Sequence, residues 1–160
     1  GHSDGASIAL IHASSADTQI VGLILEAPHV FVEEISLDGL NGGKKAFEQG
    51  GLKASLAKHH QKPEMIFRCW NNIWLSPEFL TWNIVSCLSN IQCPTLLIQG
   101  EKDAYGTLSQ LDTIEKNISG SCEKKIIHGI GHSPHRENPE LVLRSIQQFI
   151  SKNINTQKIE

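Results

Sequence analysis

The sequence predicts an α/β fold with a mostly parallel sheet, and three observations carry that reading. Residues 20–27 (IVGLILEA) form an unbroken apolar run rich in Ile, Leu and Val, stopped by Pro28. Residues 95–99 (TLLIQ), framed by Pro94 and Gly100, repeat the pattern. Such runs suit strands covered on both faces, the usual state of a parallel sheet, whereas a half-solvated strand would alternate with polar residues. Segments with helical spacing separate the runs, and strand alternating with helix implies right-handed crossovers.

Taken in order, residues 4–14 (DGASIALIHAS) read as a helix in which Ile8, Ile11 and His12 recur at helical spacing, with alanines for close packing. The two apolar strands follow. A shorter third, Lys125 to His128 (KIIH), is closed by Gly129 and Gly131. Thr107 can cap a helix carrying Leu108, Leu111, Ile114 and Ile118, which ends near Gly120. Asn138, with Pro139 at the first helical position, opens a last helix with Val142, Ile146, Phe149 and Ile150 on one face. Residues 153–160 (NINTQKIE) are polar and read as a frayed end.

The connection between the first two strands runs to about 65 residues, far longer than an ordinary loop. Pro63–Leu75 and Pro77–Ile91 within it read as helices, the second opened by Ser76-Pro77. Trp70, Trp74 and Trp82 all fall there. The expected organisation is a core of residues 1–29 and 92–160, with residues 30–91 inserted as a helical cap. The tryptophans then either line a pocket beneath the cap as substrate-binding residues or pack the insert onto the body.

Composition narrows the function. The 160 residues carry a formal charge of −3 and are 39% hydrophobic, which excludes disordered and fibrous classes. No apolar run approaches the roughly 18 residues of a membrane span. Lys44-Lys45 and Lys124-Lys125 are isolated pairs, so nothing marks a nucleic-acid partner. Cys69, Cys87, Cys93 and Cys122 form no CxxC pair, so they read as idle thiols of a reducing, cytoplasmic compartment rather than as a metal or redox motif. Oligomeric state leaves no mark on the sequence.

Chemistry concentrates in three places. Gly1-His2-Ser3-Asp4-Gly5 matches G-x-S-x-G, a sharp strand-to-helix turn that exposes a serine, with small residues at both ends where strand and helix approach. A serine needs a base, and the base an orienting acid. Asp103 follows the buried strand in Gly100-Glu101-Lys102-Asp103, and His132 follows the next strand in Gly129-Ile130-Gly131-His132. Both loops lie at the carboxyl edge, where parallel sheets place their sites. Glu101 is the alternative acid, but it lies nearer the strand. His128, His132 and His135 could also be spaced as metal ligands, although the glycine-rich loop gives them no common face and the expectation is no metal. His135 reads as surface or as standing behind the site, and His2 as packing or catalysis. The Asp4 carboxylate either caps its helix and complements the dipole or lines a pocket that favours a positively charged substrate. Glu33 and Glu34 read as a solvated acidic loop.

With GHSDG, PTLLIQGEKD and GIGHSPHRENPE in this order, the chain resembles the α/β-hydrolase family over nearly its whole length. The serine followed by Asp, a helical cap and QCPTLLIQGEKD are similar to its valacyclovir hydrolase-like esterase branch. The resemblance implies Ser3 as nucleophile, Asp103 as orienting acid, His132 as general base and the Asp4 N–H as half of an oxyanion hole. It implies hydrolysis of small carboxylic esters through an acyl-enzyme, with no cofactor. Cleavage of a C–C or amide bond by the same residues, or a non-catalytic binding role, are the competing expectations. An elbow at residue 1 further implies that the N-terminal strands of the fold, and a second oxyanion donor, precede this sequence, so that the chain alone would fold poorly.

Overall fold

In the computed structural model, which describes residues 1–15 and 19–154, three strands form one parallel sheet. They are β1 (Leu23–Glu26), β2 (Thr95–Gly100) and β3 (Cys122–Ile127), in the order β1-β2-β3. The register pairs Leu23 with Thr95 and Thr95 with Cys122. Alternation along the central strand sends its side chains into two cores. Leu97 joins Leu25, Leu10, Leu111 and Ile114 on one face, whereas Leu96 and Ile98 join Ile127, Val142 and Phe149 on the other. β2 is buried at every position, Thr95 and Gln99 included.

Helices cover both faces. α1 (Asp4–Ala13) and α5 (Ser109–Asn117) supply the first core, and α7 (Pro139–Asn153), preceded by the single turn α6 (Pro134–Glu137), the second. The Asn138 side chain accepts from the Leu141 N–H, so the expected cap is made. Thr107 likewise turns its hydroxyl to the Ser109 N–H at 3.2 Å. β3 starts three residues earlier than the sequence suggested. Its charged Glu123 and Lys124 disguise it as a loop, and they sit there because β3 borders the sheet, paired on one side only by β2. Lys124 reaches Asp112 and Glu115 of α5, and Glu123 takes Lys152 of α7. Of the expected frayed end, residues 155–160 lie outside the described residues, while Asn153 closes α7.

The long connection departs most from expectation. It holds α2 (Glu34–Glu48), α3 (Gly51–Ala57) and α4 (Pro63–Trp74), of which only α4 was anticipated. Leu40 and Phe47 are the buried anchors of α2, and Phe47 stacks on Phe67 of α4 at 4.1 Å. Three glycines within α2 mask this pattern. The helix expected over Pro77–Ile91 is instead two short 3-10 turns, Phe79–Thr81 and Val85–Asn90. Between them Asn83 bridges to Phe31, its side-chain oxygen takes the Val85 N–H at 2.9 Å, and Ile84 N donates to Val30 O. An Asn that satisfies nearby backbone itself competes with the helix ladder.

Candidate active site

The serine turn is held between a bridge to β1 and the helix that follows it. Ser3 stands at φ 53°, ψ −125°, a strained conformation for a residue with a side chain. Backbone pairing holds it there: Ser3 N donates to Glu26 O, Ala6 N to Ser3 O, and Glu26 N to Gly1 O. A Cβ at Gly1 would lie 2.3 Å from Gly5 O, so position 1 admits only glycine. At Gly5 the reasoning from small residues fails, because an added Cβ there meets nothing within 4 Å.

β2 and β3 deliver the other two groups. His132 Nε2 is 2.9 Å from Ser3 Oγ, and His132 Nδ1 is 2.9 Å from both carboxylate oxygens of Asp103. An ionised carboxylate only accepts, so the Nδ1 proton faces Asp103 and Nε2 is left to accept from the serine hydroxyl. Asp103 is buried at 6% exposure and fixed twice more, accepting from Tyr105 N at 2.8 Å and from Gln99 Nε2 at 3.3 Å. The acid and histidine loops can touch because residue 100 is glycine, where a Cβ would fall 2.1 Å from Gly131 O. The histidine loop is tied down by Glu137, which accepts from Gly131 N and Ser133 N, and by His2, whose Nε2 is 2.7 Å from His132 O. His2 therefore supports the backbone of His132.

Glu101, the alternative acid, points outward to His128 at 3.3 Å and to Gly129 N. His135 pairs with Glu26 at 3.1 Å. His128, His132 and His135 each face a different carboxylate, and no metal-holding cluster occurs among the described residues. Glu33 is no solvated loop residue: its carboxylate binds the Thr107 hydroxyl and N–H and Gln110 Nε2, tying the start of α2 to α5.

Asp4 makes no cap. Its Oδ2 accepts from Trp74 Nε1 at 3.3 Å, and burial raises its carboxyl above the usual range, opposed in part by the Trp74 and Trp70 indoles. Ser3, Asp4, His29, Ser36, Leu40, Trp70, Trp74 and Tyr105 line a half-open cavity of about 20 Å3, room for one water. Behind Trp70 and Trp74 opens an apolar groove of about 410 Å3 that includes Ile8, Ile11, Phe79 and Trp82. The structure therefore brings Trp70 and Trp74 to Ser3 and leaves Trp82 in the groove.

Two residues at the site escaped the sequence reading. His29 is 3% exposed, its ring 5.9 Å from that of His132 and 5.5 Å from that of Trp74. Burial and the neighbouring His132 lower its pKa to about 4. Its place just past β1, at the sheet's carboxyl edge, was the available signal. Gln99 lies inside β2 and carried no signal. No helix among the described residues is long and apolar enough to cross a membrane, and all four cysteines are free thiols.

No protein-family model matches the chain, and no curated protein matches it. Solved structures do. A membrane phospholipase A described as a bacterial virulence factor matches with TM-score 0.73 and 21% identity over 97% of this chain and 56% of its own. A serine hydrolase involved in carbazole degradation matches with TM-score 0.71 and 17% identity, over 95% of this chain and 62% of its own. An α/β-hydrolase enzyme from a Medee basin deep-sea metagenome matches with TM-score 0.65 and 19% identity, over 97% and 65%. The fold is that of the α/β hydrolases. At these identities the likeness is one of fold, and the chain spans 56–65% of the length of the three structures.

Proposed function

We propose that the protein is a serine hydrolase that cleaves carboxylic esters through an acyl-enzyme. The observation that carries this reading is the 2.9 Å approach of His132 Nε2 to Ser3 Oγ on a strained turn. Ser3 Oγ bonds to the ester carbonyl carbon while its proton passes to His132 Nε2, and Asp103 stabilises the imidazolium that forms. As the intermediate collapses, the carbon–alkoxide bond breaks and the same proton goes to the departing alcohol. Water then repeats the sequence: it gives a proton to Nε2, bonds to the acyl carbon and displaces Ser3, which recovers the proton. The Asp4 N–H, directly after the serine, donates to the developing oxyanion.

The narrow space at Ser3 favours a small acyl group over a bulky one, and the groove beyond Trp70 and Trp74 takes the alcohol. On this reading residues 30–91 act as the cap over the site, Asp4, Trp70 and Trp74 contact substrate, and Trp82 contacts its outer end. The buried, indole-bound Asp4 carboxylate gives a cationic substituent a partner. No step calls for a cofactor, and the free thiols fit a cytoplasmic enzyme.

A fluorophosphonate probe tests the reading. Labelling at Ser3 that disappears in Ser3→Ala, with hydrolysis of short-chain p-nitrophenyl esters, is the expected result. A wild-type protein that neither labels nor cleaves any ester of the panel would sink it.

A further inference from the structure

One polar side chain at the site has no assigned task. His29 sits at the end of β1, where Pro28 and the left-handed Ala27 (φ 46°) turn the chain inward beneath α2 and α4. Its Nδ1 is sealed from solvent and within hydrogen-bond reach of no protein group. The space beside that nitrogen exists because residue 106 is glycine; a Cβ there would lie 3.3 Å from Nδ1 and 3.1 Å from Cε1. The ring otherwise borders the cavity shared with Ser3 and Asp4.

A neutral imidazole carries one N–H and one lone pair. A sealed N–H without an acceptor is the worse of the two orphans, since buried unpaired donors are the rarer defect in proteins. The proton therefore belongs on Nε2 and the idle lone pair on Nδ1. The pKa of about 4 keeps the ring in this neutral form wherever His132 can act as a base. A donor that cannot become a cation recognises a neutral acceptor without competing for the proton that Ser3 must lose.

We propose that His29 reads the acyl group: its Nε2–H donates to a hydrogen-bond acceptor placed next to the ester carbonyl, so that the enzyme prefers alkoxy-, hydroxy- or oxo-substituted acyl esters to plain alkyl ones. The position fits, because the His29 ring lies 5.9 Å from the His132 ring that must reach the same scissile bond. The cavity's small volume admits a short substituent there and little else. Ser36 on the same wall already donates to Tyr105 O, so its hydroxyl is committed elsewhere.

The proposal rests on the ester-hydrolase reading, and the test separates the two. The substrates are p-nitrophenyl methoxyacetate and p-nitrophenyl butyrate, equal in length and differing by an ether oxygen for a methylene. The ratio of their kcat/KM values, compared between proteins, cancels their intrinsic reactivities. His29→Phe should lower the ratio about fivefold, the worth of one neutral hydrogen bond. His29→Gln, which keeps an N–H donor, should recover much of it. An unchanged ratio in a folded His29→Phe protein overturns the proposal, and so does equal loss in both variants. If neither variant folds, the ring nitrogens of the wild type decide by 15N NMR: a protonated Nδ1 between pH 6 and 8 overturns it, a protonated Nε2 supports it. A wild type that does not label with fluorophosphonate at Ser3 counts against the hydrolase reading instead.

Discussion

His29 makes the protein's stability depend on acid. Its folded pKa of about 4 lies below the unfolded value of 6.5, so between those limits the unfolded chain binds a proton that the folded one refuses. Stability is then full above pH 6.5 and falls as pH drops toward 4, by about 3 kcal/mol for the whole interval. Thermal or urea unfolding from pH 7 to 4 should show this loss in the wild type and a shallower one in His29→Gln; parallel curves would refute it. Ser3, Asp103 and His132 were legible because each sits in a short sequence pattern at the end of a strand or strand-like turn. His29 was not, because its burial comes from α2 and α4 and from Gly106, all distant in sequence.

At the scale of elements, α2 shows how one residue type serves opposite ends. Gly39 faces the acid loop, where an added Cβ would lie 2.7 Å from Ala104 O and 2.8 Å from the Tyr105 ring; at Gly42 it would meet nothing within 4 Å. Replacing a helical glycine by alanine is worth about 1 kcal/mol in propensity. Gly42→Ala should therefore raise the melting temperature by about 2–4 °C. Gly39→Ala should lower it, because backbone overlap outweighs that gain, and should reduce turnover by shifting the loop that holds Asp103. Equal increases in both would show that α2 does not press on the loop. The strands and the helices at either end were readable from apolar runs and caps. The glycines hide α2, and the helix that Ser76-Pro77 would open over 77–91 gives way where Asn83 satisfies the nearby backbone itself.

For the whole molecule, the sheet's two cores meet at β2. Leu97 and Ile98 are both fully buried but belong to opposite faces. Leu97→Ala should cost about 2–5 kcal/mol, the range for emptying a buried leucine site. Removing the exposed, solvent-screened Lys53–Glu64 pair should cost far less. Denaturant titrations that ranked them the other way would contradict this account of where the stability lies. The sequence alone determined the α/β class, the parallel order of strand and loop, and the three groups that meet at Ser3, since strand burial and turn chemistry are written in short windows. Only the tertiary structure decided that Glu33 clamps two helices, that Asp4 answers to Trp74 rather than to its own helix, and that His29 is sealed against the site. Those outcomes depend on which surfaces exclude water together, and burial is a property of the packed chain.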